Sequence, residues 1–384
     1  MDKNNTLKYE DMKTKYGDFL YPCFRILIGG KDLSTVKNGV VIYRLEADLS
    51  AGFEASAVTF YVTEILEADT HKYNEDIMKK YLVLGASAVI STGYAGVTEQ
   101  IFMGFVSRVR FIHEDSRPMQ AEVTAMDVKG IMMSNAYSRQ LTAKSYSEAV
   151  KEIFTGQRYQ KIQSAGVFNS ELSVSDTPDK KNDQEKQESA DTIEMVDESD
   201  YEFVVKAAKK FNFEFFIQNG NVMFRKNDTE KKVKIVLGAG KGIRSFDITY
   251  DITGLVEEVE ARGMNDGEGK LIKAAEKANN KLWSGNTVKS LLENSKKIYF
   301  DPTIRDKDEA QQRAKSLMYT MSNRYGRLEC ECSGIPEILP GCLIKIDGLG
   351  AEADNVFYIT GVKHTISDTE GYIMYLTGRA ASLE

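Results

Sequence analysis

The chain has 384 residues, 42% of them hydrophobic, with 50 Lys and Arg against 57 Asp and Glu and a formal net charge of −7. That length and apolar content predict a folded protein of about two or three domains, and the acidic balance argues against a general nucleic-acid binder, which carries a basic face or stripe. No apolar run is long enough to span a membrane and the opening "MDKNNTLKYEDMKTKYG" has no apolar core, so neither a membrane anchor nor a secretory leader is expected, and synthesis in a cytoplasm is.

From Tyr21 to Met126 short β-prone runs follow one another: "CFRILIGG", "VVIYRLEADLS", "SAVTFYV", "SAVISTGY", "QIFMGFVSRVRF" and "QAEVTAMDV". That density of strands predicts a sandwich or barrel. "SYSEAVKEIFTG" predicts a helix capped by Ser145 or Ser147 and closed by Gly156. The segment 173–190, "SVSDTPDKKNDQEKQESA", has almost no large apolar side chain and predicts an exposed, mobile loop. In "SDYEFVVKAAKKFNFEFFIQNGNVMFRK", Ser199 and Glu202 have capping-box spacing, and Phe203, Val204, Ala207, Ala208 and Phe211 share one helical face. The period then changes to that of a strand at Phe213, and Asn219-Gly220 offers a tight turn between two aromatic strands. Strands resume with "KVKIVLG", "GIRSFDITYDIT" and "GLVEEVEARG", whereas "KLIKAAEKANNKLW" reads as a helix or an excursion from the strands. A further helix is predicted over about 306–325, with Asp306 and Glu309 as a cap pair, and strands from "RLECECSG" to "YIMYLTGR" end the chain.

One stretch echoes another. The segment from Gly85, "GASAVISTGYAGVTEQIFMGFVSRVRF", can be laid on that from Gly341, "GCLIKIDGLGAEADNVFYITGVKHTI". Gly85 then meets Gly341, Gly93 meets Gly348, Phe102 meets Phe357 and Val106 meets Val362, at offsets of 8, 17 and 21 against 7, 16 and 21. Such self-similarity predicts one β-device used twice.

Chemistry is sparse. His71, His113 and His364 are dispersed and stand in no metal-ligand spacing. Cys23, Cys330, Cys332 and Cys342 suit free thiols, with the "CEC" pair on one face of a strand as small core residues. "GAGKG" at 238–242 lacks the strand-to-helix setting of a phosphate loop and predicts a turn. Glu258 and Glu260 in "EEVEARG" alternate onto one face of a strand, and no nucleophile elbow is present. The residues therefore predict neither an enzyme nor a bound cofactor or metal.

Three pieces in order carry a resemblance: "LGASAVISTGY…QIFMGFVSRVRF", "ESDYEFVVKAAKKFNFEFFIQNGNVMFRK" and "PEILPGCLIKIDGLG…NVFYITGVKHTISDTEGYIMYLTGR". Together they resemble the hub proteins of contractile phage tails, the late control D family, whose fold recurs in the hub half of type VI secretion spikes. The resemblance implies a mainly β chain with an α+β middle region: two tube-like β-barrel domains and a helix-hairpin unit. The boundaries expected are 1–135 for the first β-domain, 136–230 for the middle region and 231–384 for the second, with interleaving allowed. Gly85, Gly93, Phe102, Gly341, Gly348 and Phe357 would mark the β-domains, and Ser199, Tyr201, Phe203, Phe213 and Gly220 the middle region.

In such hubs three chains form a pseudo-sixfold ring that docks a sixfold tail tube on one side and a threefold spike on the other. The implied partners are thus a second and third copy, a tube protein, wedge proteins and a separate spike polypeptide, since no spike domain follows Arg379. The 173–190 loop and the Trp283 region depart from the family pattern. The other readings of this chain are a tail-associated peptidoglycan hydrolase and a carbohydrate-binding adhesin.

Overall fold

The computed structural model describes residues 6–33, 40–64, 81–113, 120–177, 193–227, 232–265, 269–278, 286–302, 304, 306–350 and 353–382. After helix α1 (Tyr9–Lys15) the first set of strands comprises β1 (Pro22–Ile28), β2 (Lys31–Asp32), β3 (Val40–Ser50), β4 (Ala57–Glu64), β5 (Ser87–Tyr94), β6 (Val97–Ile112) and β7 (Gln120–Met126). Alternation is cleanest in β7, where Ala121, Val123 and Ala125 are buried and the residues between them are not, the period-two pattern of a sheet with one covered face. Their inner side chains form one core with Ile26, Phe60, Ile90 and Phe102.

The middle region holds α2 (Lys129–Met132), β8 (Tyr137–Leu141), α3 (Tyr146–Thr155), α4 (Gln157–Ser164), β9 (Leu172–Val174), β10 (Ile193–Glu198), α5 (Asp200–Phe211), β11 (Phe213–Gln218) and β12 (Asn221–Lys226). It has its own aromatic core around Phe154, Phe168, Phe203, Phe215 and Phe224. There follow β13 (Val233–Gly238), β14 (Ile243–Tyr250), β15 (Glu258–Asn265), β16 (Lys270–Lys277), α6 (Asn286–Leu292), β17 (Lys296–Phe300), α7 (Lys307–Ser322), β18 (Gly326–Ser333), β19 (Leu343–Asp347), β20 (Asn355–Ser367) and β21 (Gly371–Ala380).

The architecture is mainly β with an α+β middle region. Strands of the two halves join one 13-stranded sheet, in the order β14-β18-β21-β20-β3-β4-β7-β6-β5-β1-β2, with β13 and β19 attached beside β20. The joint is an antiparallel ladder between β20 and β3, from Gly361 opposite Ser50 to Ser367 opposite Arg44. The described strands of this sheet thus run as a continuous path with two cores, and no closed ring is formed among them, while β8 with β10, β9 with β11 and β12, and β15 with β16 and β17 make three smaller sheets. Met12 and Tyr16 of the N-terminal segment are buried in the second core, beside Phe357 and Tyr372.

Two sequence expectations need correction. The stretch from Lys270, read as a helix or an excursion, is strand β16 to Lys277, paired with β15 from Asn265 opposite Lys270 to Glu258 opposite Lys277. Its Ala and Lys favour a helix in isolation, and pairing with β15 overrides that weak preference; Trp283 lies outside the described residues. The polar segment 173–190 begins as ordered structure: Ser173 and Val174 belong to β9, which pairs in parallel with β12. Thr177 exchanges hydrogen bonds with Ser147 at 2.9 and 3.1 Å; from 178 onward the segment lies outside the described residues.

Candidate assembly site: the bracing hairpin and the groove beside it

Each residue of "SDYEF" has a separate task. The Ser199 hydroxyl accepts the Glu202 N–H at 3.1 Å while the Glu202 carboxylate accepts the Ser199 N–H at 2.7 Å, closing the capping box on α5. Asp200 is fully buried and accepts the phenol protons of Tyr137 and Tyr159 at 2.5 and 2.7 Å, with the Arg158 guanidinium 3.5 Å away. Burial, with this carboxylate beside them, pushes both phenols above their ordinary range. Tyr201 donates to the Phe53 carbonyl at 3.1 Å, and Phe203 fills the middle core.

Phe53 belongs to a loop, 51–55, held from below by Lys129. That ammonium is buried and donates to the carbonyls of Gly52 at 3.1 Å and Glu54 at 2.5 Å. Its neighbour Asp127 accepts the Ser56 N–H and the Lys129 N–H, both at 2.8 Å. Burial lowers the Lys129 pKa and raises that of Asp127, and neither charge would be tolerated here without these partners.

The β11–β12 hairpin is wedged between the two halves of the long sheet. At its tip, a Cβ on Gly220 would meet the Met103 sulfur of β6 at 2.7 Å, and the backbone φ there is +83°; only glycine fits so close an approach in that conformation. At its other side Gln218 donates to the Pro340 carbonyl at 2.6 Å. Arg225, nearly buried, donates to the Gly341 carbonyl at 2.8 Å, to Glu214 at 3.0 Å and to the Tyr358 hydroxyl at 3.3 Å. Phe213 lies in the middle core, edge-on to Phe224.

Gly85 and Gly341 occupy like positions. Their φ values are +80° and +86°. The Gly85 N–H donates to the Val106 carbonyl at 2.9 Å, and the Gly341 N–H to the Ile359 carbonyl at 2.8 Å. In each case the following residue's carbonyl then accepts the N–H of that same partner, Val106 to Ala86 and Ile359 to Cys342. Val106 therefore corresponds spatially to Ile359 rather than Val362, which sits opposite Leu376. Phe102 and Phe357 are both core residues, opposite Ile90 and Ile344 respectively, so their hairpins differ in register. Gly93 sits within β5 opposite Thr98, whereas Gly348 lies beyond the end of β19. The middle region covers only the second turn: Phe216 and Arg225 press on Gly341, whereas Gly85 stands exposed and Gly166 comes near Ser87 on the strand that follows it.

Between the long sheet, the middle region and α7 runs an open groove of about 980 Å³. Asp48, Glu54, Glu214, Asp247, Glu329 and Glu331 line it, against the cations Lys363 and Arg379. Burial raises the pKa of Asp48. Farther along the same sheet face the charges are paired, Lys363 and Arg44 on Glu46 at 3.1 and 2.6 Å, and Arg108 on Glu122.

Glu258 and Glu260 do share a face of β15, where Lys296 bridges them, and the Arg262 guanidinium reaches Glu260 at 2.5 Å. Lys296 and Arg262 hold the Glu260 carboxyl below the usual range. Cys330 and Cys332 are buried in the second core, as is His364, whose Nδ1 lies 2.8 Å from the Tyr372 hydroxyl. Residues 238–242 form the turn between β13 and β14. Among the described residues no cluster of His, Cys, Asp and Glu is suited to a metal ion, and no helix is long and apolar enough to cross a membrane.

Asp200, Lys129 and Arg225 were not singled out from the sequence. Their partners lie far away along the chain, Tyr137 for Asp200, Glu54 for Lys129 and Gly341 for Arg225, so no local signal marks them.

The sequence matches the family described as the Alg8 N-terminal domain over residues 62–368. No curated protein sequence matches it. Among solved structures, a tail protein from Neisseria meningitidis MC58 superposes with a TM-score of 0.65 at 14% identity, covering 94% of this chain and 97% of that one. The 43 kDa tail protein of prophage MuSo2 from Shewanella oneidensis gives 0.64 at 12% identity over 94% and 98% of the two chains. An Escherichia coli component of the type VI secretion system, described as similar to the bacteriophage T4 tail proteins gp27 and gp5, gives 0.55 at 12% identity over 92% and 76%. At these identities the likeness is one of fold.

Proposed function

From its tail-protein fold we propose that this chain, which belongs to the Alg8 N-terminal domain family, is a non-enzymatic structural hub of a contractile tail or related injection particle. Three copies would form the ring. The paired β-halves, 1–135 and 231–384, would present six similar surfaces to a sixfold tube, and the middle regions, 136–230, would face a separate threefold spike, with wedge proteins around the outside. Synthesis in a bacterial cytoplasm and assembly into a virion tail or phage-tail-like particle follow from this role.

The observation that carries the reading is the hairpin brace. Gly85 and Gly341 open like turns in the two halves, and one middle region touches both halves, its Gly220 tip against Met103 of the first and its Arg225 on the Gly341 carbonyl of the second. Such a brace keeps two β-units at a fixed mutual angle, which a pseudo-sixfold ring of three chains requires. Mass measurement of the assembled particle is the test: three copies per particle are expected, and any other number refutes the ring.

A further inference from the structure

The three-stranded sheet β16-β15-β17 has one face covered and one not. Val259 and Ala261 pack on the side of α7, with Ala310, Ala314, Met318 and Met321. The other face carries Phe300, Leu271 and Ile298 at 61%, 51% and 49% exposure, large apolar side chains that this chain leaves in water. Among them stand Arg262, Lys273, Lys277 and Lys296 against Glu258 and Glu260, with Glu257 reaching Lys277 at 3.5 Å, so four cations less three anions leave +1 on a chain whose total is −7. Arg262 and Lys273 are directly opposed across the strands, and like charges so placed destabilise a sheet.

The groove has the opposite imbalance. Its six carboxylates face two lining cations, and with Arg225 on Glu214, Arg244 3.7 Å from Glu331 and Arg327 on Glu329 one negative charge remains in excess; Asp247 on edge strand β14 is directly opposed to Glu329 on β18, a second like-charge pair, of the other sign. Arg327 leans on Glu329 from the same strand but leaves Asp247 beside it. Phe246 and Tyr375, both at the groove, are 45% and 42% exposed. The two surfaces lie on opposite sides of α7, since that helix packs its alanines and methionines on the small sheet and turns Tyr319, Thr320 and Asn323 to the groove.

We propose that the open face of the small sheet in one copy seats in the acidic groove of the next, Lys273 and Lys277 meeting Asp247 and Glu329. A contact between different faces of one chain is heterologous, and it gives a ring where its rotation closes and an open filament where it does not; the three-copy reading requires closure, and an isologous contact would set the Arg262–Lys273 pairs against each other. The assignment rests on the three-copy reading above and names the surfaces that would make it.

Native mass spectrometry and sedimentation of the full chain test it. Wild type is expected to form a closed oligomer. Lys273→Glu with Lys277→Glu should raise its dissociation constant at least about tenfold per reversed pair, and adding Asp247→Lys with Glu329→Lys to the same chain should restore it. Unchanged circular dichroism shows that each variant is folded. A wild-type chain that stays monomeric up to its solubility limit overturns the contact, as does an oligomer indifferent to the Lys reversals or one that the compensating acid reversals fail to restore. An oligomer of another size that follows the full swap pattern upholds the contact and refutes the three-copy ring; an indifferent trimer does the reverse.

Discussion

Replacing Arg225 by Met should unfasten the hairpin from the second half of the sheet. The guanidinium is 9% exposed and makes three contacts, with Glu214, the Gly341 carbonyl and the Tyr358 hydroxyl. Removing one partner of a buried ion pair costs about 3–5 kcal/mol, most of it the uncompensated charge left behind. Here the charge is Glu214, itself 12% exposed, and it keeps the Tyr358 hydroxyl as a hydrogen-bond partner, which puts the expected loss near the lower bound, about 3 kcal/mol. Burial already raises the Glu214 pKa with Arg225 in place, and losing the cation raises it further. The defect should therefore be largest above the ordinary carboxylate range and shrink as pH falls and Glu214 takes up its proton. Changing Glu214→Leu together with Arg225→Met should recover most of the loss, because no buried charge then remains. Denaturant melts of the two variants at neutral and mildly acid pH make the comparison. A single variant that loses less than about 1 kcal/mol, or a double variant as unstable as the single, would refute the argument, since a fastening worth no more than a surface pair could not hold the hairpin.

Gly341→Ala, at φ +86° with Phe216 2.6 Å from the added methyl, should cost at least about 2 kcal/mol, while Gly348→Ala, at φ +80° in open space, should cost about 1 kcal/mol; paired thermal melts decide between them. Burial lowers the His364 pKa from 6.5 to about 3, so the unfolded chain binds the proton first and stability should fall as pH drops from 6.5 towards 3, by about 5 kcal/mol in all. In a pH series of melts, His364→Gln should flatten that acid limb. Isolated protein should bind duplex DNA no better than about 10⁻⁴ M at physiological salt, given −7 per chain; sub-micromolar, salt-steep binding by fluorescence anisotropy would expose a missed basic face. Cell-wall zymograms should show no clearing, because Lys296 and Arg262 engage Glu258 and Glu260; clearing lost in Glu258→Gln would reverse the assignment in favour of a hydrolase.

Most strands and the α5 capping box were legible because their information is local: alternation in β7, the Ser199–Glu202 spacing, the Asn219-Gly220 turn. Segment 270–277 misled for the same reason, since its Ala and Lys speak of a helix and only β15, elsewhere in the chain, makes it a strand. The echo between Gly85 and Gly341 was visible, but the true partner of Val106, Ile359, was hidden by the different hairpin registers. Arg225 was unreadable as a fastening because the Gly341 carbonyl lies 116 residues away. Nothing in the local pattern of "NVMFRK" distinguishes a buried guanidinium from a solvated one.

The ladder between β3 and β20 gives the protein a means of inspecting its own synthesis. Until residues 361–367 have left the ribosome, β3 has no neighbour on one side, and Met12 and Tyr16 have no second core to enter. A nascent or truncated chain thus displays an open strand edge and bare apolar side chains, the features that invite aggregation and capture by chaperones or proteases. Only a finished chain closes that edge. In the three-copy ring proposed above, one incomplete copy would spoil the whole, and the late closure of this edge would set unfinished chains apart before assembly.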